Sequence, residues 1–185
     1  MTESNVIKMK SFDVKIFGER NTGTNVLKKI VENNSRSSVL PSVSSEIDRN
    51  ISKKLKIAKM ATRPFGKISP YLNAQLREKI IDRTFENAPV EYAWKHTATT
   101  FESLECFSEK SIVFCIRNPM SWLCSLYKNP YHLIGGKPET FEEFIDMDWR
   151  LAKRDNLRFD YLKPYKLYEE KFRTYLDFMK QLDER

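Results

Sequence analysis

Residues Asp13 to Phe17, DVKIF, form a short β-branched and aromatic run that passes directly into GERNTGTN and then into VLKKIV, where Val26, Leu27, Ile30 and Val31 recur at helical spacing. Strand, glycine-containing loop and helix in that order leave few folds open. Glycine permits a tight backbone path, successive N–H groups turn inward, and the positive end of the helix faces any anion the loop encloses. Gly18 and Gly23 are spaced like the two glycines of the triphosphate loop GxxxxGK[ST], yet Thr24 stands where its lysine belongs. Without a cation there for β and γ phosphates, ordinary ATP or GTP hydrolysis and kinase chemistry are disfavoured. By itself such a glycine pair reads as a turn before a helix.

A second signal changes that reading. The apolar run SIVFCI, Ser111 to Ile116, has the character of a strand buried on both faces and leads into Arg117-Asn118-Pro119. In a triphosphate enzyme such a strand commonly ends in an Asp that helps hold Mg²⁺; here it ends in a permanent cation able to grip phosphate bidentately. Asn118 and Pro119 suit an N-cap and first turn, with Trp122, Leu123, Leu126 and Tyr127 on the apolar side of the helix that follows. Ser125, about two turns from the cap on the Ser121 face, can donate a hydroxyl to the same anion.

Elsewhere VEYAW, Val90 to Trp94, reads as a strand and TFESLECF as helix-like. Residues 33–67 alternate polar clusters with short mixed runs, and Arg63-Pro64-Phe65-Gly66 reads as a loop. Leu72, Leu76, Ile80 and Ile81 predict an amphipathic helix from Ser69 to Phe85 with Pro70 at its start. Thr140-x-x-Glu143 is a capping box for a helix buried through Phe141, Phe144, Ile145 and Trp149. From Pro164, a long amphipathic helix carries Tyr168, Phe172, Tyr175, Leu176, Met179 and Leu182 as its stripe. Strands alternating with helices predict an α/β fold: a three-layer, P-loop-like domain with a small, mainly parallel sheet flanked by helices and a helical C-terminal part. At 185 residues the chain is read as one domain, 1–185.

GERNTGTN after the first strand resembles the 5′-phosphosulfate loop of the sulfotransferases that use 3′-phosphoadenosine 5′-phosphosulfate (PAPS). IRNPMSWLCSLY resembles their 3′-phosphate motif, an Arg-x-Pro-like strand end with a Ser eight residues on, and the order and separation of the two motifs also agree. The resemblance runs in motif order from about Asp13 to Trp149. It implies that Arg20, Asn21, Thr22, Gly23, Thr24 and Asn25 hold the 5′-phosphosulfate and that Arg117 and Ser125 hold the 3′-phosphate. The family loop more often has a Lys before its Ser-Gly-Thr; here Asn21 occupies that place, and Arg20 beside it is taken as the support for the leaving phosphate. The family also carries a Lys and a His close together after the intervening strand, which Trp94-Lys95-His96 resembles more loosely. His96 is then the general base, with Lys95 assisting the bridging oxygen; His132, in a Pro-flanked loop, is the weaker candidate. Relatives continue into another strand and helix where this chain reaches Arg185, so a compact variant, a shortened and less active product, and a site completed by another chain are all open.

The implied reaction is metal-free sulfuryl transfer from PAPS to a hydroxyl or amine. Cys106, Cys115 and Cys124 lack CxxC spacing and support neither a disulfide framework nor a zinc site. No apolar run suggests a signal peptide or membrane span, and a cytoplasmic location is expected. The net charge of +7 is local: residues 47–83 carry ten basic and three acidic side chains, a surplus equal to that of the whole chain. That segment is either a solvated helix face or an electrostatic collar for an anionic substrate. A sugar hydroxyl on a polar glycan fits the collar, whereas a small phenol or alcohol would suit an apolar pocket. The alternative is a non-catalytic nucleotide or polyanion binding protein. Nucleic-acid recognition is disfavoured because the basic residues are not interleaved with an aromatic platform.

Overall fold

The computed structural model describes residues 13–100, 105–131 and 137–184. Strand β1 (Asp13–Gly18) runs into helix α1 (Thr24–Asn34) and then into the short strand β2 (Ser38–Val39). Helices α2 (Ser44–Ile47), α3 (Ile51–Thr62) and α4 (Ser69–Glu86) follow. Beyond them come β3 (Ser111–Cys115), α5 (Pro119–Lys128) and α6 (Phe141–Asp146). An antiparallel pair, β4 (Trp149–Arg150) and β5 (Tyr161–Leu162), precedes the long helix α7 (Pro164–Asp183). No helix among the described residues is long and apolar enough to cross a membrane.

The expected α/β arrangement is present as a small parallel sheet, three-stranded among the described residues, in the order β2-β1-β3. Its register sets Gly18 opposite Cys115, so the glycine loop and Arg117 leave the sheet at the same edge. β1 is central and almost wholly buried. β3 is only half-buried, against the expectation of burial on both faces, because it borders the sheet and commits Ile112 and Phe114 to one core.

That core joins Phe17, Leu40, Phe107, Tyr175 and Phe178. A second gathers Trp122, Leu123, Leu126, Phe144, Trp149 and Leu167. α7 enters both, and each large apolar side chain it buries is worth about 1.5–3 kcal/mol. The buried face of α7 is Leu167, Lys171, Tyr175 and Phe178, whereas Leu176 and Met179 of the expected stripe are exposed. The helix is rotated from that expectation because Lys171 meets two buried carboxylates, described below. The caps match the sequence: the Asn118 side chain accepts from the Met120 and Ser121 amides, and the Thr140 hydroxyl accepts from the Glu143 amide.

Two loop regions differ from expectation. Arg63–Ile68 is a 3₁₀ turn bent at Gly66, where φ is 57°, and it joins α3 to α4 as a helical hairpin. VEYAW is not a strand. Val90–Tyr92 makes a 3₁₀ turn and a second turn follows at Lys95–His96, where the Gly18 amide donates to Lys95 O (2.9 Å) and the Lys95 amide to Ser42 O (3.3 Å). Of the expected TFESLECF helix, Glu105–Phe107 forms a 3₁₀ turn and Thr100 is not helical, while residues 101–104, and His132, lie outside the described residues.

Lys15 explains why that segment stays beside the sheet. Fully buried in β1, its ammonium donates to the carbonyls of Pro41 (3.3 Å), Glu91 (2.9 Å) and Ala93 (2.5 Å). Burial pushes its pKa down to about 7 against the pull of Glu46 and Glu91. Lys15→Met keeps the stem but strands buried acceptors, and is expected to destabilise the fold by roughly 3 kcal/mol in denaturant titration. An unchanged midpoint would show that the ammonium does not hold the segment.

Candidate functional site

The site begins where β1 stops. A Cβ on Gly18 would stand 2.6 Å from Cys115 O and 2.8 Å from Thr22 Oγ1, so close packing of the loop on β3 requires glycine. The loop then closes on Glu19, whose carbonyl accepts from Thr22 N (3.2 Å) and Oγ1 (2.5 Å) and whose Oε1 accepts from the Arg20 amide (2.8 Å). Gly23 opens α1 at φ 96° with open space around its missing Cβ, so here conformation rather than room favours glycine. The helix has no side-chain cap and no acidic residue in its first turn. Its positive end is therefore left for an external anion.

Cations from three separate parts of the chain surround this end. Lys95 Nζ donates to Asn25 Oδ1, bringing an ammonium to the α1 terminus where Thr24 cannot supply one. Burial lowers its pKa, partly offset by Glu46. Arg117 Nη1 donates to Asn21 O (3.0 Å) and Trp122 Nε1 to Arg20 O (2.7 Å), which ties the loop to the start of α5. The Arg20 guanidinium lies between two rings, 4.4 Å from the centre of Trp94 and 4.0 Å from that of Tyr131. Ser125 is half-buried in α5, and no hydrogen bond joins it to Arg117 among the described residues.

His96 lies behind the loop, with Nδ1 donating to the Gly18 carbonyl and its ring edge-on to Trp94 at 5.0 Å. Burial holds its pKa well below the usual histidine value, and Arg20, Lys171 and Lys95 act in the same direction. A neutral ring whose proton is fixed on Nδ1 keeps its lone pair on Nε2, the form a general base requires. Arg20, Trp94, Lys95, His96 and Tyr131 all line an open cleft of about 1250 Å³, which extends between α4 and the β4–β5 pair.

Beneath the loop, sequence reasoning missed an ion cluster. The Lys171 ammonium pairs with Glu19 Oε2 (2.7 Å) and with the Asp155 carboxylate, and donates to the His96 carbonyl (2.6 Å). All three charged side chains are at most 3% exposed, so they exclude solvent. Burial works to raise the Asp155 pKa, but Lys171 and Arg20 outweigh it and hold the carboxyl below its ordinary value. Arg154, bonded to Asp82 (2.7 Å) and Glu78 (2.5 Å), covers Trp94 from another side at 4.6 Å. The sequence did hold a sign of this cluster, since Lys171 falls four residues before Tyr175 and four after Leu167, on a face that otherwise buries apolar side chains.

No protein-family model matches the chain, and no curated protein or solved structure is similar to it.

Lys171→Met would leave two buried carboxylates without their cation. A loss of roughly 3–5 kcal/mol in unfolding free energy is expected, with a native-like melting curve counting against the cluster. The depressed His96 pKa has a definite sign. As pH falls below 6.5 the unfolded imidazole takes up a proton that the folded ring resists, so the stability tied to neutral His96 is full above 6.5 and is lost below it. The melting temperature should drop more between pH 7 and pH 5 (roughly one unit to either side of the ordinary histidine range) in the wild type than in His96→Gln. Parallel pH profiles would contradict the assignment.

Proposed function

We propose that this chain is a PAPS-dependent sulfotransferase built on a P-loop-like domain. The observation that carries the reading is that one residue, Gly18, accepts from a neutral imidazole through its carbonyl and opens a loop ending at an uncapped helix terminus. A proton acceptor and an anion cradle thus share a single backbone hinge. The residues fit the donor: α1 offers first-turn amides with no competing carboxylate, and Lys95 and Arg117 bring positive charge to the same loop.

When bound, PAPS supplies a sulfuryl group on a phosphate leaving group. The amides of Gly23, Thr24 and Asn25, with Asn21 and Thr22 forming the turn before them, hold the 5′ anion. Lys95 offsets the charge left on the bridging oxygen, and Arg20 adds positive potential from the cleft side. Arg117 takes the 3′-phosphate, with Ser125 assigned beside it on the resemblance of the motif. His96 Nε2 would take the acceptor's proton as the acceptor oxygen bonds to sulfur and the bond from sulfur to the bridging phosphate oxygen breaks, leaving adenosine 3′,5′-bisphosphate. The acceptor enters the cleft, where Arg77 and Lys79 of α4 and Arg150 of β4 stand with aromatic rings along the wall. That mixture suits the hydroxyl of a polar glycan better than a small apolar alcohol.

The experiment pairs binding with turnover. Adenosine 3′,5′-bisphosphate at about 100 times its Kd should stabilise the fold by about 2.7 kcal/mol. Arg117→Ala should weaken that binding, whereas His96→Ala should leave it nearly intact and reduce PAPS-dependent transfer to a glycan panel by roughly 10²-fold or more. An absent thermal shift would sink the donor assignment. Binding without transfer to any acceptor would identify a nucleotide-binding module instead.

A further inference from the structure

The helical hairpin of α3 and α4 carries a surface that the proposed transfer does not use. Ile51, Ala58 and Thr62 are the buried residues of α3. Helical spacing therefore puts Lys53, Lys56, Ile57 and Met60 on the opposite face. The bend that follows exposes every residue from Arg63 to Ile68. Five large apolar side chains stand out of this corner: Ile57 is 65% exposed, Met60 64%, Ile68 57%, Phe65 56% and Tyr71 48%. Scattered apolar residues are ordinary on a protein surface, but this many within fifteen positions of one hairpin are not.

The charge around them is of one sign. Between Ile51 and Tyr71 the chain has Lys53, Lys54, Lys56, Lys59, Arg63 and Lys67 and no acidic residue. Lys54 pairs with Asp48; the other five have no carboxylate partner among the described residues. A soluble polyanion would be served by the cations alone and gives no reason to expose isoleucine, methionine and phenylalanine among them. An anionic bilayer surface satisfies both. Its phosphates draw the lysines, whose stems reach along apolar surface, and the region below the headgroups accepts the apolar tips.

We propose that the α3–α4 corner docks on an anionic phospholipid surface, with Ile57, Met60, Phe65 and Ile68 entering the headgroup boundary and Lys53, Lys56, Lys59, Arg63 and Lys67 against lipid phosphates. The proposal is independent of the chemistry assigned to the cleft. The intact chain is sedimented with vesicles of phosphatidylcholine alone or mixed with phosphatidylserine. It should bind the mixed vesicles, bind the neutral ones far less, and release as salt rises. Phe65→Ser combined with Ile68→Ser, and separately Lys56→Glu combined with Lys59→Glu, should each weaken vesicle binding by about tenfold or more. These side chains are exposed, so unchanged melting temperatures show that the fold is intact. Failure to bind mixed vesicles at low salt would overturn the proposal. So would vesicle binding indifferent to the serine pair, with heparin or RNA bound at least as tightly, because the corner would then be a polyanion surface.

Discussion

A single ammonium organises the region under the glycine loop. Lys171 comes from the C-terminal helix and meets Glu19 from the loop, Asp155 from the turn before β5, and the carbonyl of His96. Three elements that share no secondary structure thereby acquire one fixed distance from one another. Removing such charges from water costs several kcal/mol per ion, a cost offset only while every partner remains in place. The cluster therefore behaves as a unit. Glu19 Oε1 also receives the Arg20 amide, so the carboxylate that neutralises Lys171 shapes the first step of the loop as well.

Above this cluster, Trp94 serves as an electron-rich plate. Arg20, Arg154 and Lys171 approach its ring at 4.4, 4.6 and 5.4 Å, and His96 meets it edge-on. Contacts of this kind are worth about 0.5–1 kcal/mol when exposed and about 2 or more when water is excluded. Their effect here is to add an attractive face to cations that also meet carboxylates, Arg154 at Glu78 and Asp82 and Lys171 at Glu19 and Asp155. Burial is the main reason the imidazole stays neutral, and Arg20, Lys171 and Lys95 add to it.

Local patterns made much of the frame legible in the sequence. The β1-loop-α1 unit, the Asn118 and Thr140 caps and the extent of α7 each follow from short-range chemistry within a few residues. What was not legible depends on distant partners. VEYAW has strand composition, but the Lys15 ammonium takes the carbonyls of Glu91 and Ala93, and the segment turns at both ends instead of pairing as a strand. Lys171 resembled one more surface lysine because the carboxylates that bury it lie elsewhere in the chain. β2, β4 and β5 are two residues each, too short for any periodicity to register. Of the candidate residues, Lys95, His96 and Arg117 do meet the loop, while Ser125 shares a helix with the Arg117 motif but no bond with Arg117.

The Glu19–Lys171 pair also spans most of the described chain. Glu19 and its counter-ion lie far apart in the sequence, and until Lys171 is present the loop carries a carboxylate that lacks its buried partner. β1 also pairs with β3 across a long, though shorter, stretch of chain. Contacts between such distant positions repay their loop-closure entropy only once both ends are available. The shape of the glycine loop is therefore a long-range property of the chain: it requires residues from the last described helix as well as from the loop itself.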